Sequence, residues 1–214
     1  MKPKALDLFC GAGGATKGLQ RVGFHVTGVD IRPQPRYCGD AFIQADALTV
    51  PLEGYDLIWA SPPCQAHTSM RTMHNARRHP DMIPATRERL RHVSYVIENV
   101  EGAPLISPVL LCGTMFGLGY EDAELRRHRI FECSFPLLVP ECAHGQRAAV
   151  VGVYGGHLWN RRRRTIGVYG EGVRDSVRKV DKGVEDFTVA AWSRGHGNRL
   201  DDARRALPGD SASL

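Results

Sequence analysis

Short apolar runs that end on an acid or a glycine recur through the first half of the chain, with stretches of helical spacing between them. Ala5 to Phe9 is apolar except at Asp7 and runs into Cys10-Gly11-Ala12-Gly13-Gly14, after which Thr16 to Arg21 reads as a helix. Phe24 to Val29 reads as a second strand ending on Asp30, Phe42 to Ala45 as a third followed by Asp46, and Tyr55 to Ala60 as a fourth followed by Ser61-Pro62-Pro63-Cys64. Val93 to Ile97 reads as a fifth, ending at Glu98-Asn99. Strands that alternate with helical patterns predict a parallel α/β sheet covered on both faces. In such sheets ligands bind beyond the carboxyl ends of the strands. Asp30, Asp46, Cys64 and Glu98 all fall just past such ends, a coincidence of four positions that one residue alone would not make.

The pattern changes past Glu132. Val150 to Gly156 and Thr165 to Gly172 share a Gly-Val-Tyr-Gly core on either side of His157 to Arg164, and read as two strands of a small β-rich unit. The segment from about Trp192 is rich in Gly, Arg and Asp and carries little core. The expected organisation is a catalytic and ligand-binding domain over 1–132, a reduced recognition lobe over 133–195, and a loosely held tail over 196–214. His67 to Asp81 is polar and basic without apolar period, and reads as a mobile loop directly after Cys64.

Composition adds limits. At 214 residues, with 43% hydrophobic and 24% charged positions, the chain can bury one sizeable core and resembles ordinary globular proteins. No apolar run approaches the roughly 18 residues a membrane helix needs. The first ten residues reach an acid and a glycine loop too soon for a signal peptide, so a cytoplasmic protein without membrane contact is expected. The net charge of +5 favours polyanionic partners. Its distribution says more: Arg71, Arg77, Arg78, Arg87, Arg89 and Arg91 crowd one segment, Arg126, Arg127 and Arg129 a second, and Arg161, Arg162, Arg163 and Arg164 a third. Any one cluster could be a solvated face; three beside chemical motifs point to a nucleic-acid surface. The six cysteines form no CxxC pair, which suits a reducing compartment. Cys133, Cys142 and His144 come nearest to a metal pattern, but their spacing matches no common zinc template, and no metal is expected.

The glycine loop at 11–14 lets backbone approach a ligand closely at a helix N-terminus. A nucleotide-binding turn would look similar, although the regular GxGxxG spacing is absent. Asp30, 16 residues after Gly14, suits an acceptor of ribose hydroxyls as well as a turn residue. Pro62 and Pro63 stiffen the chain before Cys64 and remove donors, holding the thiol in a fixed position. A lone cysteine is ordinarily structural, but a strand end, two prolines and a basic loop around it suit a nucleophile. Glu98 can face the same cleft and hold or deliver a proton on a ring nitrogen, or be a structural acid.

In these motifs the chain resembles the cytosine-C5 DNA methyltransferases. The matching elements are Asp-Leu-Phe-Cys-Gly-Ala-Gly-Gly at 7–14, Pro-Pro-Cys-Gln at 62–65, Glu-Asn-Val at 98–100, and Arg127-His128-Arg129 followed by Ile130-Phe131, in family order over about residues 1 to 132. The resemblance implies a Rossmann-like S-adenosylmethionine-dependent methyltransferase fold with a small β-rich lobe. It implies that Phe9, Gly11, Gly13 and Gly14 hold the methionine part and adenine of the donor, that Asp30 binds its ribose, and that Asp46 binds the adenine amino group. Cys64 would attack C6 of a flipped cytosine, Glu98 would bond N3 and the exocyclic amine, and Arg127 and Arg129 would support the base and a phosphate. Arg161 to Arg164 would contact DNA. The implied partner is double-stranded DNA, with restriction-modification as the biological setting. Methylation of cytosine in RNA is an alternative, and so is a DNA-binding remnant without turnover.

Three features depart from the family pattern. Leu125 stands where the family usually has Asn or Gln, and Asp30 where it usually has Glu. Family members normally return, after their recognition region, with a helix that completes the donor pocket. Asp201 to Leu207 reads at most as the beginning of such a region, and a second chain would have to supply the rest.

Overall fold

The computed structural model describes residues 1–68, 79–120, 123–146, 149–154, 165–168 and 189–192. Most of the loop expected after Cys64, the run Arg161 to Arg164 and the tail from 196 lie outside the described residues. The chain divides into two compact units, one of residues 1–110 and 128–139, the other of 111–127 and 140–214. The first unit is therefore not one continuous stretch.

The first unit is built on strands β1 (Lys4–Leu8), β2 (His25–Asp30), β3 (Ala41–Gln44), β4 (Leu57–Ala60) and β5 (Tyr95–Asn99). Each pairs in parallel with its neighbour in the order β3-β2-β1-β4-β5. Strand β6 (Val109–Cys112) begins in this unit, and β9 (His128–Cys133) pairs antiparallel with β5; the complete seven-stranded order is β3-β2-β1-β4-β5-β9-β6. This is the mostly parallel α/β sheet that the strand and helix alternation predicts, in the Rossmann-like arrangement that the resemblance implies. The strand order reverses between β1 and β4, so the crevice for a ligand opens past Leu8 and Ala60, which stand side by side in register.

Burial explains why these segments form strands. In β1, Ala5 to Leu8 are all buried, the continuous burial of a central parallel strand rather than alternation. Leu6, Leu8, Val29, Ile58, Ala60, Leu90 and Ile97 form the main core. Helix α1 (Gly14–Arg21) turns Thr16 and Leu19 inward, and Leu19 packs with Ala5 and Val26. Helix α2 (Ile83–Leu90) carries Pro84 in its first turn and buries Ile83, Thr86 and Leu90, one face at helical spacing. Among the described residues no helix is long and apolar enough to cross a membrane.

The second unit contains β7 (Gly119–Tyr120), β8 (Ala123–Leu125), β10 (Ala149–Tyr154), β11 (Thr165–Val168) and β12 (Val189–Trp192), in the order β12-β11-β10-β8-β7. Strands β10 and β11, which carry Gly152-Val153-Tyr154 and Gly167-Val168, are neighbours and run parallel; the remainder of both similar segments lies outside the described residues. Strands β7 and β8 belong to this unit although they precede β9 in the chain.

Candidate active site

The loop after β1 turns the chain sharply. Phe9 adopts a φ of 60°, uncommon for a bulky side chain, and Gly13 a φ of 98°. A Cβ at Gly13 would lie 2.7 Å from the Cys38 sulfur, so this glycine is required by space as well as by dihedral. At Gly11 and Gly14 nothing lies within 4 Å of the corresponding position, which leaves open backbone where a ligand can approach. The Gly11 N–H donates to Asp30 Oδ2 at 3.1 Å, and Asp30 Oδ1 accepts from the Arg32 N–H at 3.0 Å. Asp30 thus ties the end of β2 to the glycine loop. The Ala45 N–H bonds the Asp30 carbonyl at 3.1 Å, which brings the segment holding Asp46 alongside. Asp46 is exposed and caps its own turn, its Oδ1 accepting from the Leu48 N–H at 2.8 Å.

The loop after β4 is stiff instead. Ser61 N–H bonds the Leu8 carbonyl at 3.1 Å, and Cys64 opens a single 3₁₀ turn over Cys64–Ala66 directly after Pro63. The Cys64 carbonyl accepts from the His67 and Thr68 N–H groups at 2.9 and 3.1 Å. The side chain is half-buried. Asn99, buried at the end of β5, donates from Nδ2 to the Pro62 carbonyl at 3.0 Å and accepts from the Val100 N–H at Oδ1. It is the tie between the proline loop and β5. Sequence reading includes Asn99 in a motif without giving it this role.

Glu98 lies on the same strand end. Its carboxylate pairs with Arg129 Nε at 2.9 Å, both side chains partly exposed. The antiparallel register explains the pairing: Glu98 stands opposite Phe131, and Arg129, two residues along β9, projects on the same face. Beneath these residues sits Asp7. It is fully buried, accepts from the Thr16 N–H and hydroxyl at Oδ2, and has no hydrogen-bond partner at Oδ1. Burial pushes its carboxyl up to about 7 against the two Thr16 bonds, with Glu98 and Asp30 adding repulsion. Acids from the ends of β1, β2 and β5 therefore feel one another. Cys10, the other thiol of this region, is buried, and burial and the neighbouring Asp7 raise its pKa far above the ordinary value, which leaves it a poor nucleophile.

The carboxyl edge of the sheet thus gathers Phe9, Gly11, Gly13, Gly14, Asp30, Asp46, Cys64, Glu98 and Arg129 in the first unit. Arg127 falls in the second unit. The arginine clusters look different from their sequence reading. Arg87 is bidentate to the buried Glu132, at 2.8 Å from both Nε and Nη2, and bonds the Pro104 carbonyl. Arg89 bonds the Val50 carbonyl, Arg91 pairs with Glu88, and Arg126 pairs with Glu124. Arg87 and Arg89 thus tie the fold together, and the sequence could not reveal it because their partners lie 45 and 39 residues away, whereas Arg91–Glu88 and Arg126–Glu124 are local pairs.

No protein-family profile matches the chain, and no curated protein matches it in sequence. Solved structures resemble it at low identity. The S. pombe Dnmt2 methyltransferase is 18% identical over 61% of this chain, with a TM-score of 0.41, and the chain spans 48% of that protein. The Burkholderia thailandensis 1,6-didemethyltoxoflavin-N1-methyltransferase, solved with S-adenosylhomocysteine, is 16% identical over 62% of this chain and 71% of its own, with a TM-score of 0.36. Function has to be read from the site, because folds of this kind host many chemistries.

Proposed function

We propose that this protein transfers a methyl group from S-adenosylmethionine to C5 of cytosine in double-stranded DNA. The observation that carries the proposal is the pair of unlike loops at the switch point: an open glycine loop tied to Asp30, and a proline-stiffened turn that holds Cys64 past the end of β4 and is tied through Asn99 to the strand end that carries the Arg129-paired Glu98. The open positions at Gly11 and Gly14, with an acid at the end of β2, fit a nucleoside-bearing donor. When bound, that donor supplies an electrophilic methyl group. Phe9 and the glycine loop would hold it, Asp30 would accept from its ribose hydroxyls, and Asp46 would meet its adenine amino group.

The remaining chemistry belongs to the side chains. The Cys64 thiolate attacks C6 of a cytosine swung out of the duplex, forming a C–S bond and making C5 nucleophilic. Glu98 holds N3 and the exocyclic amine, and stabilises the proton that N3 takes as electron density moves onto the ring. Arg129 orients the Glu98 carboxylate through their ion pair. Once C5 carries the methyl group, its proton leaves to a base, the C5–C6 double bond re-forms and the C–S bond breaks, freeing Cys64. The products are 5-methylcytosine, S-adenosylhomocysteine and a proton.

The test offers tritiated S-adenosylmethionine together with duplex DNA, transfer RNA or free nucleotides. Label on cytosine of duplex DNA is the expected result. Label on RNA alone would move the substrate assignment, and label on none of the three would overturn methyl transfer to cytosine.

A further inference from the structure

The second unit holds a group of residues outside the chemistry described above. Cys112 is the last residue of β6, followed by a 3₁₀ turn over Gly113–Phe116. Cys142 and His144 come from the segment before β10. The Cys112 sulfur lies 3.4 Å from His144 Nε2, and the Cys142 sulfur 3.0 Å from the same nitrogen. All three ligand-type atoms lie within 4.8 Å of one another. No disulfide joins the two cysteines. We propose that Cys112, Cys142 and His144 bind a zinc(II) ion in the second unit.

Three features of the geometry carry the assignment. The first is the donor set: two thiolates and an imidazole are the ligands zinc favours over harder cations. The second is spacing. With Zn–S near 2.3 Å and Zn–N near 2.0–2.1 Å, tetrahedral ligands stand about 3.6 Å apart. The observed separations of 3.0 and 3.4 Å need to open by about 0.6 and about 0.2 Å. A residue pair brought together merely by packing has no reason to aim both sulfurs at one ring nitrogen. The third is the surrounding support. Thr114 Oγ1 lies 3.2 Å from the Cys112 sulfur and 3.7 Å from that of Cys142, so one hydroxyl serves both candidate ligands. Glu124 accepts from the Gly145 and Gln146 N–H groups at 2.9 and 3.0 Å and pins the backbone directly after His144. Outer contacts of this kind hold metal ligands in orientation.

The grouping also differs from the one the sequence suggests. Cys133, in the first unit, is replaced by Cys112, 30 residues before Cys142. That separation matches no zinc template, which explains why spacing alone points away from a metal. The ion would cross-link the end of β6 to the segment before β10. Such a link would stabilise the unit, because metal binding to the folded state alone adds to the folding free energy.

The full chain, purified without chelator and then dialysed against zinc, is assayed for bound metal by mass spectrometry. One zinc per chain is expected, with a rise in melting temperature that a chelator reverses. Cys112→Ser, Cys142→Ser and His144→Ala should each lose the metal, while Cys133→Ser keeps it. Replacement of zinc by cobalt(II) in the unaltered chain should give a thiolate-to-cobalt charge-transfer band in the near ultraviolet, a readout that no variant's folding can confound. Absence of both stoichiometric zinc and the cobalt band in the unaltered chain would overturn the proposal. So would metal retention in Cys112→Ser with loss in Cys133→Ser, or recovery of Cys112 and Cys142 as a disulfide from reducing buffer.

Discussion

The loops after β1 and β4 leave adjacent strands of one sheet at the same edge, yet they are built on opposite principles. The first is made of backbone that few side chains tolerate, with positive φ at Phe9, Gly11 and Gly13. The second has two prolines, a short turn and a buried amide holding a proline carbonyl. On the proposed function, the open backbone at Gly11 and Gly14 leaves room for a ligand. The prolines and the Asn99 amide would hold the Cys64 sulfur in place. A site that joins two reactants needs both, because room for one is useless unless the attacking atom of the other is positioned.

The comparison predicts effects of very different size. Cys64→Ala should abolish methyl transfer, a loss of several orders of magnitude in kcat, while leaving donor affinity by calorimetry nearly unchanged, since the donor's loop is the other one. Near-normal turnover would mean that the stiff loop presents no nucleophile.

Asp7→Asn probes the buried floor under both loops. With its folded pKa raised to about 7, Asp7 keeps its proton in the folded chain while it ionises in the unfolded chain from about pH 4 upward. Its contribution to stability is therefore fully present below about pH 4 and is lost as pH rises to about 7. The Asn variant should lack that decline and be more stable than the parent at pH 8, by an amount on the order of a few kcal/mol. Denaturant titrations at pH 5 and pH 8 measure it, and equal pH dependence in the two proteins would remove Asp7 from this role.

Gly13→Ala should cost about 1–3 kcal/mol for the left-handed backbone, and more for the contact with Cys38. Donor binding should weaken with it, and an unaltered melting temperature would contradict the space requirement. Asn99→Ala leaves the Pro62 carbonyl without its donor and should cost about 1–3 kcal/mol, with transfer reduced more than donor affinity. Equal losses in both would mean that Asn99 supports the sheet in general and not the Cys64 loop.

How much of this could be read in advance differs between the two units. Strand ends, glycine loop and proline turn are local features, written in contiguous residues, so the parallel sheet and the place of Cys64 just past the end of β4 were legible from the chain. The strands shifted by only one or two positions, as with Tyr95–Asn99 against the expected Val93 to Ile97. What stayed hidden depends on distant partners. Arg87 reads as part of a basic surface until Glu132 is seen, and Cys112 belongs to no motif until the fold brings it to Cys142 and His144. The membership of β7 and β8 in the second unit is hidden for the same reason, because nothing local marks Leu111 as a crossing point.

The most direct test of the account is a covalent trap. Duplex DNA carrying 5-fluorocytosine is incubated with S-adenosylmethionine and the full chain, then resolved under denaturing conditions. Fluorine at C5 cannot leave as a proton, so the step that frees Cys64 is blocked. The account predicts a denaturant-stable adduct of one chain with one methylated strand, absent in Cys64→Ala. An adduct that persists in Cys64→Ala, or none at all from a chain that methylates ordinary cytosine, would contradict it.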